Sequence, residues 1–510
     1  MRGRLPWLAL GVACAVQLVG IARTSLPSHD GLKILRTAAS FQKQPWPETI
    51  RATDRHPLYP ILVAAVEPGV RLFFRNGSES WRIAAQGVSA VCGIAVLIPL
   101  FLLTNSLFGE TAAHWAALLW AVLPIPAELA HETLADPVAL LCFTASLWAL
   151  DRATQSRPRT WCALAGLFAG LGYWARPEVA LIAAVGAAWI LTMRTAGGLK
   201  IAWRDRILHV AALLLPVVAL VGGYAAAKGE LSEKLALRRT LGMAPSALPT
   251  SRPTTSLEPF SAKPNEGELE VPPGLPQATF AMLAAWARVL GIGLAPLAIA
   301  GAFLAAPSPT RRLLRWYIGV ASILILRHVH LFHYLSNRHV LTLAIATLPW
   351  ASWRLTRLGD RVAAWLRVPA QARFASHALA VGAVLALCFV SQGHQSHPSR
   401  DAHRRAGLWL STQSQPGDAV FDTNGWAAFV AERTWHDPWH LCQALADQRL
   451  KYLVLESSEL SDPSTRGAQL RSLLAHRATP VARFEVANTQ SPDYVIVYQY
   501  DQADRGGRAG

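Results

Sequence analysis

The chain has 510 residues, of which 52% are hydrophobic and only 16% are charged. Because soluble domains carry about 25% charged residues, this composition excludes an ordinary soluble enzyme. The net charge of +16 does not indicate nucleic-acid binding, because the basic residues are spread over loops beside apolar runs and form no single stripe with interleaved aromatic residues. We expect no nucleic-acid partner.

Apolar runs that approach or reach membrane-spanning length recur along most of the chain, and they predict about eleven spans. The runs are residues 5–23, 83–103, 112–125, 137–150, 162–175, 179–193, 207–227, 280–305, 316–326, 340–353 and 375–390. They predict an all-α polytopic membrane domain at residues 1–395. The first run could instead be a signal peptide, since Arg2 and Arg4 precede it, but no A-x-A cleavage site follows, so an uncleaved helix is favoured.

The positive charges predict how this domain is oriented. Lys and Arg of short loops stay on the cytoplasmic side of a membrane. Arg2 and Arg4 therefore place the N-terminus inside, and the alternation of spans then places the C-terminus outside. The first loop, 24–81, falls outside, as does the loop 228–276, which is rich in Pro, Ser, Thr and Glu and is predicted to be mobile.

Ionisable residues gather at the predicted outer ends of the helices. They are Asp30, Asp54, His56, Glu132, Asp136, Arg176, Glu178, Arg338 and His339. A charged side chain at membrane depth costs about 2.5–3.5 kcal/mol, so such residues suggest a functional site. For each residue alone, a helix-end charge or a snorkelling anchor is the commoner explanation. Their common side of the membrane favours one shared cavity.

The order of these motifs resembles the GT-C class of membrane glycosyltransferases. The motifs are an acid in the first outer loop, DRHPLYP at 54–60, HETLADP at 131–137, YWARPE at 173–178 and SNRHVLTLAIATLPW at 336–350. More narrowly, the chain is similar to the superfamily that contains protein O-mannosyltransferases, aminoarabinose transferases of lipid A and Rgt-type galacturonosyltransferases. The resemblance covers roughly residues 1–395 and depends on motif order and sidedness.

The resemblance implies transfer of a hexose or pentose from a polyprenyl-phosphate donor to a hydroxyl of a lipid, glycan or protein acceptor. Asp30 would be the general base, with its pKa raised by partial desolvation. The donor phosphate would be held by Arg55, His56, Arg176 and Arg338. Donor or acceptor would be oriented by His29, Asp54, Glu132, Asp136 and Glu178. His29 stands where relatives often have a second acid, which places a shared-carboxylate arrangement in doubt.

A divalent cation is an open alternative at the second outer turn, because some relatives bind a metal there. Asp30, Glu132 and Asp136 could share one, since hard cations prefer carboxylate oxygens. Helix capping by Asp136 before Pro137 explains that residue equally well. We therefore assign no metal site and no certain cofactor. The His-rich run at 328–339 and the six cysteines have no metal-ligand spacing.

Residues 396–510 alternate between helical and strand patterns. They predict a small α/β domain of about 100 residues on the outer side, with a disordered tail. Neither a phosphate-binding loop nor a nucleophile elbow is present. Acceptor recognition and shielding of the site are the roles that its position allows.

Two other functions stay open at this point: a transporter or flippase for lipid-linked precursors, and a non-catalytic membrane scaffold. Against transport, the sequence has no inverted repeat, and its ionisable residues lie at the outer face and not at the midplane. The favoured interpretation is an integral, multi-pass protein of the bacterial inner membrane, in contact with membrane lipids, whose active site faces the extracytoplasmic side.

Overall fold

The computed structural model describes residues 7–74, 76–192, 202–232, 268–270, 274–365, 398–436, 441–463, 465–486 and 493–501. The last predicted span at 375–390, most of the 228–276 loop and the end of the C-terminal tail lie outside these residues.

Helices dominate the described part of the chain before residue 366. They are α1 (Trp7–Arg23), α2 (His29–Lys43), α3 (Trp46–Ala52), α4 (Leu58–Arg71), α5 (Gly77–Ala95), α6 (Leu97–Phe108), α7 (Glu110–Val122), α8 (Pro124–His131), α9 (Asp136–Ala153), α10 (Pro158–Ala175), α11 (Leu181–Thr192), α12 (Trp203–Lys228), α13 (Leu275–Leu290), α14 (Ala295–Leu304), α15 (Pro309–Phe332) and α16 (Leu341–Trp365). Short 3-10 helices, Pro177–Ala180 and Asn337–Val340, precede α11 and α16. Strands β1 (Glu268–Glu270) and β2 (Tyr334–Ser336) pair antiparallel, so the predicted all-α domain also contains a small sheet.

Two helical segments in the described residues are long and apolar enough to cross a membrane. They are Gly77–Phe108, formed by α5 and α6, and α12. Two bent pairs raise this number to four if each pair is one span: α7 with α8, and α13 with α14. Helix α1 and residues 177–192 are apolar but shorter. The figure of about eleven spans stays a prediction.

The bent pairs correct two predicted straight spans. Helices α7 and α8 meet at 60° within the run 112–125, because Pro124 lacks the N–H that would continue α7. Helices α13 and α14 meet at 100° within the run 280–305. Gly291 ends α13 there with a φ of 88°, a left-handed conformation that glycine adopts without strain. The spacing of the apolar runs predicts an outer turn at residues 126–133, but α8 continues through His131.

The apolar residues of LKILRTAASF at 32–41 recur at helical spacing and predict a short helix in the first outer loop, which α2 confirms. Its N-cap is Ser28, whose hydroxyl accepts a hydrogen bond from the Gly31 N–H at 3.0 Å. Leu32, Leu35 and Phe41 recur at helical spacing and are buried. Each such side chain contributes about 1.5–3 kcal/mol of hydrophobic stabilisation, so the apolar face of α2 holds the loop against the helices below.

The C-terminal region is a five-stranded sheet with helices on both faces. The elements are α17 (Pro398–Gln413), β3 (Ala419–Asp422), α18 (Trp426–Val430), β4 (Thr434–His436), α19 (Leu441–Ala446), β5 (Leu450–Glu456), α20 (Ser457–Leu460), α21 (Thr465–Arg477), β6 (Ala478–Glu485) and β7 (Tyr494–Tyr500). The strand order is β4-β3-β5-β7-β6. Strand β3 runs parallel to β4 and β5, whereas β7 runs antiparallel to β5 and β6. The predicted α/β architecture is therefore present.

Alternating side chains of the sheet pack on two helical layers. Val420 and Val454 point toward α17, whereas Phe421 and Leu455 belong to the core on the side of α19 and α21. The helical pattern of AAFVAERT predicts a single helix at 427–434, and this prediction is wrong. Helix α18 ends at Val430 and β4 follows, because the φ of Glu432 is 55° and breaks the helical path.

Candidate active site

A continuous chain of ion pairs lies where several helices begin or end. The Asp30 carboxylate accepts a hydrogen bond from Arg55 Nη2 at 2.9 Å and from Arg338 Nη1 at 3.1 Å. Arg55 Nε lies 3.3 Å from the exposed Asp54 carboxylate. Arg338 also donates from Nε to Asp136 at 3.0 Å, so its guanidinium group bridges two carboxylates.

The chain continues beyond Asp136. That carboxylate is fully buried and also pairs with Arg176, whose Nε lies 2.5 Å from Glu178. We call the seven residues Asp54, Arg55, Asp30, Arg338, Asp136, Arg176 and Glu178 the outer ion-pair chain. It alternates four carboxylates with three guanidinium groups, and all seven are among the residues proposed from sequence. The expected convergence of these residues is thus observed.

Local structure accounts for the position of each carboxylate. Asp30 is the second residue of α2, two residues after its Ser28 cap. Gly31 packs against the Thr133 hydroxyl, and a Cβ atom at that position would overlap it, so only glycine allows this close approach. Asp136 is the first residue of α9, and the N-cap position is Ala135. The Asp136 side chain therefore pairs with arginines and does not cap its helix.

Arg338 is held by the 3-10 helix that follows β2. The Ser336 hydroxyl caps this helix, and the Ser336 N–H donates to His339 Nδ1 at 3.1 Å, which forms a capping box. Burial, assisted by the nearby Arg176, lowers the pKa of His339 to about 3. His339 is therefore neutral, and its role is to shape the turn that presents Arg338.

The electrostatics of Asp30 correct one expectation. Burial alone would raise the pKa of this carboxyl, but the positive charges and hydrogen bonds of Arg55 and Arg338 outweigh burial and hold the pKa well below its usual range. The predicted rise is therefore wrong for this arrangement. Asp30 is ionised but is a weak base as long as both arginines contact it.

His56 does not join the outer ion-pair chain. Its ring stacks on Tyr224 at 5.1 Å between centroids and meets Tyr173 edge-on at 5.4 Å. Its Nε2 lies 3.4 Å from the Ser232 hydroxyl. This side chain lies in an aromatic cluster beside the start of α4, and its predicted phosphate contact stays a prediction.

His29 and Glu132 contact the C-terminal region instead of the outer ion-pair chain. The His29 ring meets Trp435 edge-on at 6.5 Å. Glu132 forms a buried ion pair with Arg400 at 2.6 Å. Glu132 thus does not converge with Asp30 and Asp136 as expected. Arg400 and Trp435 were missed, because the sequence carries no local signal for partners hundreds of residues away.

A shared divalent cation does not fit these side chains. Asp30 and Asp136 each face two arginines, and Glu132 faces Arg400, so their oxygens already have cationic partners. Within the described ranges, no group of three His, Cys, Asp or Glu side chains is arranged to hold a metal ion.

Comparison with known proteins identifies the fold. The model of the dolichyl-phosphate-mannose-protein mannosyltransferase family matches residues 56–222. The structure of ArnT from Cupriavidus metallidurans bound to undecaprenyl phosphate superimposes with a TM-score of 0.62 at 12% identity, over 96% of this chain and 97% of that one. The chain has the fold of the GT-C glycosyltransferases. The resemblance inferred from motif order is therefore confirmed.

A second GT-C structure agrees with this fold. The archaeal oligosaccharyltransferase AglB from Archaeoglobus fulgidus, in complex with an inhibitory peptide and a dolichol-phosphate, matches with a TM-score of 0.53 at 14% identity. The match covers 88% of this chain and 69% of AglB. No curated protein matches the sequence. At these identities the GT-C likeness establishes the fold, and the function has to be argued from the side chains.

Proposed function

We propose that the protein is an integral membrane glycosyltransferase that moves a sugar from a polyprenyl-phosphate donor to an acceptor hydroxyl on the extracytoplasmic face. The acceptor oxygen attacks the anomeric carbon as Asp30 takes its proton, and the bond from that carbon to the phosphate oxygen breaks. The lipid phosphate leaves with the electron pair. The observation that carries the proposal is the partly exposed Asp30 carboxylate between two arginines.

The arginines suit the leaving group. Guanidinium groups form strong, charge-assisted hydrogen bonds with phosphate oxygens and stabilise the charge that develops there. Arg55 and Arg338 lie at hydrogen-bond distance from Asp30, so a phosphate that they bind is next to the base. Arg176 is the third candidate, further along the outer ion-pair chain.

The same geometry requires an exchange of partners. Arg338 already contacts two carboxylates, and Arg55 contacts Asp30 and Asp54. An incoming phosphate competes with Asp30 for these guanidinium groups. When the phosphate takes them over, Asp30 loses the contacts that lower its pKa and becomes a stronger base. Donor binding would thereby activate the base only when a sugar is present to receive the attack.

The donor named in this proposal has a parallel in the compared structures, since ArnT and AglB were solved with undecaprenyl phosphate and dolichol-phosphate. The charge bias of the loops supports a site on the extracytoplasmic side, and we propose a bacterial inner membrane as the location. His29, Asp54, Glu132, Asp136 and Glu178 were expected to orient donor or acceptor. Of these, Asp136 has the strongest support, because it fixes Arg338 and Arg176.

The test is an Asp30→Asn variant of the full-length protein in nanodiscs. A panel of polyprenyl-phosphate sugars identifies the donor by hydrolysis or transfer with the wild-type protein. Asp30→Asn should lower transfer by about 10²–10⁴-fold, the usual contribution of a general base. Asp205→Asn is the matched control, because this carboxylate also lies in the first turn of a helix and pairs with an arginine, Arg159, but is half exposed and lies outside the outer ion-pair chain. It should retain activity within about threefold.

Three results would overturn the proposal. Transfer by Asp30→Asn at the wild-type rate would show that Asp30 is not the general base. No turnover with any donor in the panel, with normal expression and a monodisperse protein, would favour the scaffold. Donor flipping between leaflets without sugar release would favour the flippase.

A further inference from the structure

The C-terminal region contacts the two segments that carry the bridged carboxylates. Arg400, in the first turn of α17, is almost fully buried. Its Nη1 donates to the Leu26 carbonyl at 3.0 Å and to Glu132 Oε1 at 2.6 Å. Leu26 stands four residues before Asp30, and Glu132 stands four residues before Asp136. One guanidinium nitrogen therefore joins the two chain segments that lead into α2 and α9.

Neighbouring contacts hold the same segment. The Trp426 indole N–H donates to the Pro27 carbonyl at 2.8 Å, and its ring packs with Leu26 and Leu32 in a buried cluster. The Arg400 guanidinium lies 5.6 Å from the centre of the Trp426 ring. These contacts fix the backbone immediately before the Ser28 cap. Since α2 begins there, they also fix the direction in which its first turn points.

We propose that Arg400 is a positioning residue that holds Asp30 and Asp136 at the separation that the Arg338 guanidinium bridges. The C-terminal region is then part of the catalytic unit and not an appended module. Arg400 touches neither the ion-pair chain nor, in this proposal, the substrate. It acts through the backbone of Leu26 and the side chain of Glu132. This inference rests on the proposed sugar transfer for its kinetic test only.

The variant must avoid a trivial loss of folding. Removing Arg400 alone leaves Glu132 as a buried charge without its cation, which is strongly destabilising in general. The double variant Arg400→Met/Glu132→Gln removes both charges together and is the better test. Arg405→Met is the matched control, because this arginine lies on the same helix, is half exposed and pairs with Asp401.

The first measurement needs no substrate. Hydrogen–deuterium exchange of the full-length protein in nanodiscs reports the first turns of α2 and α9. The double variant should exchange faster in both turns, while the strands β3, β5 and β7 stay at wild-type protection. Arg405→Met should change neither turn. Unchanged exchange in α2 and α9 of the double variant would overturn the proposal, whatever the enzymatic activity of the protein.

The second measurement uses the polyprenyl-phosphate sugar that the wild-type protein turns over. Displacement of a catalytic group by about 1 Å can cost about 10²-fold, so kcat of the double variant should fall by about that factor with little change in donor KM. Loosened contacts between Asp30 and Arg338 should also give kcat/KM a new acidic limb. A smaller folded fraction would scale the pH profile without changing its shape. A wild-type profile shape would contradict the proposal, whereas an inactive wild-type protein would contradict the proposed function.

Discussion

Two polar clusters in this molecule lie at the ends of secondary-structure elements, and they differ in what can reach them. The outer ion-pair chain joins arginines and carboxylates through side chains alone, and Asp30 within it is 38% exposed. The other, which we call the His403 cluster, contains His403, Asp422, Asn424, Glu456 and Glu459 at the carboxyl ends of β3 and β5. His403 and Asp422 in this cluster are fully buried.

Backbone bonds account for the closed character of the His403 cluster. Asp422 accepts from the Asn424 and Ala428 N–H groups, and Glu459 accepts from the Glu456 N–H at 2.8 Å. These hydrogen bonds pair backbone N–H groups at the ends of helices and strands. A ligand that took over the carboxylates would leave those N–H groups without partners and would disrupt the element ends. In the outer ion-pair chain, each guanidinium group can exchange a carboxylate for a phosphate. The carboxyl ends of parallel strands often bind ligands, and the His403 cluster lies at such ends. The outer ion-pair chain is nevertheless the better candidate site, because its ion pairs can change partners.

Removing the bridge in the outer ion-pair chain should have the largest effect. Arg338→Met takes the shared cation from Asp30 and Asp136, and a hydrogen bond to a charged group contributes about 1.5–3 kcal/mol. We expect donor transfer to fall by about 10²-fold or more. Arg449→Met is the control, because that arginine is exposed, pairs with Asp447 just before β5 and is not part of the outer ion-pair chain. Transfer within tenfold of wild type after Arg338→Met would contradict the assigned role.

The pH dependence of kcat/KM is the next test, because it reports the free enzyme. Asp30 acts as a base only when ionised, and its folded pKa is held below the ordinary 3.8 by Arg55 and Arg338. Activity should therefore fall only as the pH drops below about 4, with no acidic limb between about pH 5 and 8. Arg55→Met removes one cation and should move the limb upward. If kcat/KM of the wild-type protein falls on the acidic side within that pH interval, Arg55 and Arg338 do not hold the pKa of Asp30 low in solution.

Much of this arrangement could be predicted from local sequence. Apolar runs predicted the helices, and the positions of DRHPLYP, HETLADP, YWARPE and SNRH predicted six members of the outer ion-pair chain. The seventh, Asp30, was predicted as the acid of the first outer loop. These motifs are informative because a charged side chain at the end of an apolar run is costly to place in lipid and therefore pairs with other charges or faces a polar cavity. Strands β3, β5, β6 and β7 of the C-terminal sheet followed from sequence periodicity, whereas β4 did not.

The failures share a different cause. Arg400 and Glu132 are 268 positions apart, and nothing in either local sequence indicates the other. The aromatic neighbours of His56, Tyr173 and Tyr224, lie more than 100 positions away in the sequence and were not predicted either. The bend at Gly291 depends on a backbone angle that composition does not specify. Contacts between distant segments, rather than residue types, decide these positions.

The His403 cluster should affect stability and not catalysis. Burial raises the pKa of Glu459 from 4.5 to about 7, so the folded protein keeps a proton that the unfolded chain releases. Stability is therefore lost as the pH rises from about 4.5 through 7, by about 3 kcal/mol in total. The pKa of His403 is also raised, so its contribution has the same sign. Glu459→Gln should flatten this dependence, measured by hydrogen exchange in β5, and leave transfer unchanged.

The smallest effect is expected at the end of the outer ion-pair chain. Glu178 is 44% exposed and contacts Arg176, which keeps its buried partner Asp136 when Glu178 is replaced. Exposed ion pairs contribute about 0–1 kcal/mol, so Glu178→Gln should change transfer by less than about fivefold. Asp136→Asn should cost far more, because it releases Arg338 and Arg176 together. Equal losses from the two variants would indicate that Glu178 contacts donor or acceptor, as the sequence predicted. The site would then include the Glu178 end of the outer ion-pair chain.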